Sequence, residues 1–479
     1  MLLFQLPPLS DYVNHLARCY LIAIGDRDPF LSQFYAIDWH LIPNLAMDLI
    51  VPPLAHVFNI YIAGKIFLVV TMVLLIAGPH LIYHALYRRW SFGPLLATLF
   101  LYNGATSAGT VNYLFGIGVA LIGIAVWIQL QQRPAALRAT VSAGFVVALF
   151  VSHFGALGLY GVALLGLEVW QARRDGSWRQ RMITLFVPFL LVPLLSLLGP
   201  ASNDLITGTL RWTLYDKIRG FVFVIESQPV NHVPDVIVAA VMVILGLWAL
   251  RRRMVEAHPA AFVIAGLGVA VFLVTPVEIM SAWGADVRQP IGYLFILIGF
   301  LNWRLSSSSA RKAFLVAAVC LLVARTAVVA YGWERLDAMT VDMQKSFSRV
   351  NPGSKILIAE VDGEYNHWLH YLPCELIIQR KSLCSLAFSD PGQQILVVKP
   401  EFREITGGLN DDPPALSQLI SPPKGSPGNP NGRVYWRDWA NNYDYLYLLS
   451  ADPADTHPLP ETLHIVYNGQ GFRLYRIQK

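Results

Sequence analysis

The stretch YIAGKIFLVVTMVLLIAGPHLIYHALYRR, residues 61–89, decides the class of fold. Its apolar run is long enough to cross a bilayer as a helix, and it ends at two arginines, Arg88 and Arg89. Similar runs follow along the chain, and most of the Lys and Arg between them fall in alternate loops. This alternation indicates a polytopic membrane protein with the basic loops in the cytoplasm. The five basic loops are Arg88-Arg89, 133–138, 173–181, 251–253 and 304–312.

Composition excludes an ordinary soluble domain. With 55% hydrophobic and only 14% charged residues over 479 positions, the chain is typical of an integral membrane protein. The net charge of +5 would suit an acidic partner, but topology accounts for the basic loops, so we expect no nucleic-acid partner. The four cysteines form no CxxC pair and no metal-ligand cluster. Cys374 and Cys384 both fall in the external tail, where a disulfide and two reduced thiols are both compatible with the sequence.

About ten apolar segments have lengths near that of a membrane span. Interruptions at Asn103-Gly104 and at His153 predict breaks or re-entrant shapes in the shorter segments. Ten spans with five cytoplasmic loops put both chain ends outside. No apolar run precedes Asp11, so we expect either a missing upstream first helix or a first span that exports a short tail unaided. The segments lie near residues 61–84, 92–104, 111–130, 139–152, 154–171, 183–199, 235–250, 260–277, 289–303 and 313–331.

The predicted fold is an α-helical polytopic membrane protein with about 10 transmembrane helices and a C-terminal extracytoplasmic α/β domain. Residues 1–60 form a first external loop with membrane-surface helices, 61–333 the multi-span domain, and 334–479 a periplasmic α/β domain. In the tail, a helical connector after residue 334 leads to alternating and buried-strand patterns. Strands are predicted within 351–361, 393–402, 443–451, 463–469 and 472–478, and a helix within 365–378.

The first 60 residues carry the most informative acids. LPPLSDYVNHLARCY, residues 6–20, places Asp11 and His15 four apart, on one face of a helix. IDWHLIPNLAMDLIVPP, residues 37–53, places Asn44 and Asp48 in the same way. Both segments predict amphipathic helices along the membrane surface, the second one closed by Pro52-Pro53. Either Asp11 caps its helix and Asp48 faces water, or one carboxylate at the membrane surface acts as a general base on a hydroxyl.

Three further residues are candidates for binding an anionic substrate. Arg288, in GADVRQP, lies at the outer mouth of a span with Asp286 beside it as an orienting partner. Arg325 lies inside the last span, where it either serves a functional site or snorkels to the outer headgroups. His153 lies at an outer turn, where it either binds phosphate or acceptor or is a packed polar residue.

Several segments of the chain together resemble a known group of enzymes. PPLSDYVNHLAR, then FYAIDWHLIPNLAMDLIVPPLA, a multi-span body, ADVRQP before a late helix and an external α/β tail resemble bacterial integral-membrane glycosyltransferases of the GT-C superfamily. That superfamily includes aminoarabinose transferases and protein O-mannosyltransferases. The resemblance implies a GT-C-like fold, a donor sugar on a polyprenyl phosphate, and an essential acid in the first external loop. Carried over by position, this acid is Asp11, with Asp48 as a second candidate.

We therefore expect inverting transfer of a hexosyl or pentosyl group from a polyprenyl-phosphate sugar to a lipid, glycan or protein acceptor. The reaction would occur at the periplasmic face of a bacterial inner membrane. Asp11 would be the catalytic base, and the substrate-binding candidates are His15, Asp48, His153, Asp286, Arg288 and Arg325. No cofactor and no metal ligands are expected. The alternative is a transporter or flippase of lipid-linked glycans, although the chain has no internal repeat of the kind many transporters show.

Overall fold

The computed structural model describes residues 3–199, 211–227, 233–279, 282–304, 307–363, 370–389, 393–407, 411–421, 434–451 and 460–479. By their contacts the residues form two units, which are described separately. The sheet unit consists of Met1–Trp39, Asp48–Lys65 and Trp333–Lys479. The helical unit consists of His40–Met47 and Ile66–Gly332. Most of the first 65 residues and the C-terminal tail therefore contribute to one unit, a grouping that the predicted domain bounds did not contain.

Helices make up most of the described chain. Short 3-10 helices are found at Gly25–Arg27, Gly93–Phe100, Phe347–Arg349, Leu372–Glu375 and Pro400–Ile405. The α-helices are α1 Tyr12–Ile24, α2 Leu31–Phe34, α3 Ala46–Ala55, α4 Ile60–Tyr87, α5 Gly104–Ser107, α6 Val111–Gln129, α7 Ala135–Ser152, α8 Phe154–Asp175, α9 Trp178–Phe189, α10 Leu191–Leu197, α11 Leu214–Phe223, α12 Val233–Arg251, α13 Pro259–Val274, α14 Gln289–Gly299, α15 Ser308–Ser346, α16 Leu376–Arg380, α17 Leu416–Ile420 and α18 Trp439–Asn442.

Seven helical segments in the described residues are long and apolar enough to cross a membrane, which makes the chain a polytopic helical protein. They are Ile60–Tyr87, Val111–Gln129, Ala135–Ser152, Phe154–Asp175, Trp178–Leu197, Val233–Arg251 and Ser308–Arg349.

The other three of the ten predicted segments are shorter than a straight span requires. Residues 260–277 correspond to α13 and 289–303 to α14, which have 16 and 11 residues. Within residues 92–104 the chain forms a short 3-10 helix, Gly93–Phe100, and α5 begins at Gly104. Hydropathy alone does not detect where the backbone leaves the helical path, so the apolar runs overestimated these helices. The breaks predicted at Asn103 and His153 are confirmed, because both residues are extended and cap the next helix.

The helical unit packs around an apolar core that α6, α8, α13 and α14 share. Leu121, Leu164, Ile264 and Phe295 in this core have no exposed surface. Gly166 of α8 lets α13 approach closely, since a Cβ there would lie 2.5 Å from Ile264 Cγ1 and 3.0 Å from its Cα. Small residues at helix contacts are the usual means of close packing within membranes.

One buried carboxylate, that of Glu168, connects the ends of four helices of the helical unit. Glu168 of α8 is fully buried and accepts hydrogen bonds from Trp127 Nε1 at 2.8 Å, Arg138 Nη2 at 2.6 Å and Arg181 Nη1 at 2.7 Å. These donors come from α6, α7 and α9. Because a buried charge is tolerated only when it is paired and hydrogen-bonded, this network fixes the four helix ends together.

The strands of the described residues are β1 Tyr35–Ile37, β2 Val255–Ala257, β3 Glu278–Ile279, β4 Ala282–Trp283, β5 Leu301–Trp303, β6 Lys355–Glu360, β7 Leu383–Cys384, β8 Leu396–Val398, β9 Tyr445–Leu449, β10 Leu463–Gly469 and β11 Phe472–Ile477. The sheet unit is built on five of them, in the order β10-β11-β9-β6-β7. In this sheet, β6 runs parallel to β7 and β9, with Ile358 opposite Tyr447, and β11 runs antiparallel to β9 and β10. The same unit contains the separate antiparallel pair β1-β8, whereas the antiparallel pairs β2-β5 and β3-β4 belong to the helical unit.

The five strands predicted in the tail are confirmed as β6, β8, β9, β10 and β11. Continuous apolar runs such as Lys355–Glu360 and Tyr445–Leu449 are central strands buried on both faces. The helix predicted within 365–378 is observed from Leu372 to the end of α16, while its beginning at 365–369 lies outside the described residues.

Two predictions about the first 60 residues need correction. The polar side chains of α1 are buried in the sheet unit, so α1 is not a helix with a water-exposed polar face. Pro52 and Pro53 lie inside α3 and do not close it before Ala55. The fixed φ of proline is compatible with a helix, so the chain continues its helical path with two fewer amide donors.

Candidate functional site

The predicted site residues divide between the two units. Asp11, His15 and Asp48 belong to the sheet unit, and His153, Asp286, Arg288 and Arg325 belong to the helical unit.

The residue proposed as base, Asp11, directly precedes α1 and is half-buried. Its backbone carbonyl accepts the amide of His15 at 3.1 Å, so the two residues are one helical turn apart, as their spacing predicted. The His15 side chain is buried, and its ring lies edge to face with Phe388, 5.7 Å between ring centres. This end of α1 therefore combines a partly accessible carboxylate with a buried imidazole.

Asp48 is held in a buried ion pair with Arg18. Arg18 Nε lies 2.6 Å from Asp48 Oδ1 and Arg18 Nη2 lies 2.7 Å from Oδ2, a bidentate arrangement. The guanidinium also donates to the side-chain oxygen of Gln394 and lies 3.2 Å from His15 Nδ1. Arg18 and Asp48 are 1% and 2% exposed. Asp48 therefore does not face water, and both of its carboxylate oxygens are bound by Arg18.

Sequence reasoning missed Arg18, the centre of this network. The available signal was a single cation in a helix whose neighbouring positions are apolar, since such a residue must find an acceptor when it is buried. Its partners could not be identified from the sequence, because Gln394 is 376 residues away.

In the helical unit, the structure brings His153 and Arg288 together around Tyr113. The Tyr113 hydroxyl donates to the Arg288 carbonyl at 2.8 Å, and its ring lies edge to face with His153 at 5.0 Å. His153 Nδ1 accepts the amide of Gly155 at 3.1 Å and caps α8. Desolvation and the positive charge of Arg288 lower the pKa of His153 to about 3, so the imidazole is neutral near pH 7.

Asp286, predicted to orient Arg288, has another cationic partner. Its carboxylate is fully buried and lies 2.6 Å from Lys217 Nζ, and the amide of Val287 donates to it at 2.7 Å. Lys217 also donates to the carbonyl of Thr275. Lys217 neutralises Asp286, so these two residues together with Arg288 carry a net charge of +1. Arg288 itself immediately precedes the first turn of α14.

Arg325 is turned into the helical unit instead of snorkelling. It is 2% exposed, forms an ion pair with Asp235 of α12, and donates to the carbonyls of Tyr102, at 2.8 Å, and Ile225. Asp235 in turn accepts from the amide and hydroxyl of Ser227, at 2.8 and 2.6 Å. Arg325 thus fastens α15 to α12 and to two loop carbonyls.

Glu375 is a second buried carboxyl of the sheet unit, and no sequence pattern indicated that it would be buried. It accepts from Tyr61 Oη at 2.7 Å and from Gln344 Nε2, 3.0 Å from each of its oxygens. Burial raises the pKa of Glu375, while these hydrogen bonds oppose the rise. The neighbouring Cys374 forms a disulfide with Cys384, which settles the alternative that the sequence left open.

Among the described residues, no group of three His, Cys, Asp or Glu side chains converges on a point that would hold a metal ion. Asp26 and Asp28 have a DxD spacing that sequence reasoning overlooked. Asp28 Oδ1 accepts the amides of Phe30 and Leu31, at 3.0 and 3.1 Å, so this carboxylate serves the turn before α2.

A scan of protein-family models, a search of curated proteins and a search of solved structures each find no match for this chain.

Proposed function

We propose that the protein is a membrane glycosyltransferase that moves a hexosyl or pentosyl group from a polyprenyl phosphate to an acceptor hydroxyl of a lipid, glycan or protein. The proposal rests on the resemblance of the first loop and on one observation. Of the two acids singled out there, Asp48 has both oxygens bound by Arg18, whereas Asp11 is half-buried at the start of α1. Asp11 is therefore the better candidate for a group that meets a substrate.

The disulfide supports a location outside the cytoplasm for the sheet unit. Disulfides persist in oxidising compartments and are rare in the cytosol. The Cys374–Cys384 bond thus agrees with the topology inferred from the basic loops, which puts the tail in the periplasm of a bacterial inner membrane.

The charge near Arg288 supports an anionic leaving group. Lys217 is paired with Asp286, and Arg288 places a further cationic side chain at the beginning of α14. The positive end of a helix dipole favours an anion there as well. A lipid phosphate is an anion of this kind, and the neutral His153 nearby can donate or accept a hydrogen bond without adding charge.

In the proposed step, Asp11 accepts the proton of the acceptor hydroxyl, and that oxygen attacks the anomeric carbon of the sugar. The bond between this carbon and the donor phosphate breaks as the new bond forms on the opposite face. The products are the inverted glycoside, polyprenyl phosphate and a protonated Asp11.

The test is transfer of radiolabelled sugar from short-chain polyprenyl-phosphate donors to membrane extracts. Asp11→Asn should lower transfer by about 10²- to 10⁴-fold, the usual contribution of a general base, while donor binding persists. Asp438→Asn is the matched control, because Asp438 also directly precedes a helix of the sheet unit and is exposed. Donor movement across proteoliposome membranes by wild type, without transfer to any acceptor, would replace the proposal with the transporter alternative.

A further inference from the structure

Helix α11 lies outside the membrane-length helices yet exposes a continuous apolar face. Its ten residues extend about 15 Å, roughly half the thickness of a bilayer core. Leu214, Tyr215, Ile218 and Phe221 are each more than 60% exposed. They recur at i, i+1, i+4 and i+7, which is one face of a helix.

The opposite face of α11 is fixed to the helical unit. Lys217 is 3% exposed and pairs with Asp286 at 2.6 Å. Gly220 lies close to Phe272 and to the backbone of Val287, since a Cβ at Gly220 would be 3.0 Å from the Phe272 ring. Thr213 caps the helix by accepting the amide of Asp216 at 3.1 Å. The exposed apolar face is therefore held in one orientation.

The surroundings of this face indicate what covers it. Arg211 is exposed and Arg219 is half-buried, with its guanidinium 5.1 Å from the ring centre of Trp283. Trp212 is 51% exposed and donates Nε1 to the Leu273 carbonyl at 2.7 Å. Leu273 and Val274, at the end of α13, are 48% and 75% exposed, so they extend the apolar surface. An apolar face bordered by Trp, Tyr and Arg is typical of a helix in the headgroup layer.

We propose that α11 lies in the membrane–water interface opposite the basic loops, with its apolar face in the acyl boundary and Arg211 and Arg219 on anionic headgroups. The Lys217–Asp286 pair then holds the Asp286–Arg288 loop at the depth of the lipid phosphates.

The experiment measures nitroxide accessibility in the full chain reconstituted in vesicles of equal parts phosphatidylglycerol and phosphatidylethanolamine. Single labels are introduced as Ile218→Cys, Val243→Cys and Asp438→Cys in a Cys320→Ser background, because Cys320 is exposed and Cys19 is buried. Val243 is an outward-facing residue of α12 and Asp438 an exposed residue of the sheet unit, and they serve as acyl-core and water references. The label at Ile218 should be more accessible to oxygen than to a water-soluble nickel complex. Its depth in the bilayer should lie between those of the labels at Val243 and Asp438.

Nickel accessibility at Ile218 equal to that at Asp438 would mean that α11 faces water, and would overturn the proposal. Low accessibility to both reagents would mean that protein, such as a second copy, covers the face, and would overturn it too. Arg211→Gln combined with Arg219→Gln should reduce the bilayer depth of the label at Ile218 in the anionic vesicles but not in phosphatidylcholine vesicles. An equal effect of the two substitutions in both lipids would refute the role of anionic headgroups.

Discussion

The guanidinium of Arg18 meets both carboxylate oxygens of Asp48, at 2.6 and 2.7 Å, in the interior of the sheet unit. Removing one partner would leave the other charge buried without compensation. Arg18→Met should therefore lower the free energy of unfolding by about 3–5 kcal/mol. Adding Asp48→Leu should recover much of this loss, because the buried carboxylate is then gone as well. Denaturant unfolding of the single and double variants in detergent measures both effects, and a double variant no more stable than Arg18→Met would contradict this account.

For Arg325, the contacts predict a structural role. Arg325→Lys keeps the charge but loses the planar fork that reaches Asp235 and two carbonyls. We expect a loss of about 1–3 kcal/mol in unfolding free energy and unchanged donor affinity in the folded protein. Arg311→Lys, at an exposed position on the same helix, is the control. Weaker donor binding with unaltered stability would instead return Arg325 to the substrate site.

The neutral imidazole of His153 gives a pH-dependent prediction. Its pKa is about 3 in the folded protein and 6.5 ordinarily, so the unfolded chain binds a proton first as the pH falls. The stabilisation is complete above pH 6.5 and is lost as the pH falls towards 3, by at most about 1.4 kcal/mol per pH unit. His153→Asn keeps an acceptor for the Gly155 amide but does not titrate. Lowering the pH from about 7.5 to about 4.5 should therefore lower the melting temperature of wild type more than that of the variant. Parallel plots of melting temperature against pH for the two proteins would disprove the assignment.

Glu375 should act in the opposite sense. Burial raises its pKa, so the folded protein holds the proton more tightly than the unfolded chain does. Its contribution to stability is greatest below the ordinary pKa and falls as the pH rises to the folded value. Glu375→Gln removes this loss, once the Gln344 amide has turned to offer its oxygen. Relative to wild type, its melting temperature should rise as the pH is raised from about 4 to about 7. Glu404→Gln, an exposed residue in the same unit, should show no such trend.

The sequence predicted the helices and strands better than it predicted which charged side chains pair with one another. The spans and the tail strands have periodic or continuous apolar patterns, and these correspond to long helices and to buried strands such as β6. The short helix α14 was overestimated, because an apolar run carries no information about where a helix ends. Asp48 and Asp286 were recognised as candidates, but their pairing with Arg18 and Lys217 depends on tertiary contacts across 30 and 69 positions. The exposed apolar face of α11 was not recognised from the sequence, because two of its three charged residues, Asp216 and Lys217, are buried against the helical unit.

The composition of the sheet unit has a consequence for how the protein is made. Arg18 leaves the ribosome 376 residues before Gln394, whose side-chain oxygen accepts a hydrogen bond from the guanidinium. At roughly 5–20 residues per second, that interval is about 20–75 s. Strand β1 is likewise synthesised long before β8, Leu396–Val398, with which it pairs. During biogenesis Arg18 can therefore pair early with Asp48, but its Gln394 acceptor and the partner strand of β1 are supplied only when the tail has been synthesised.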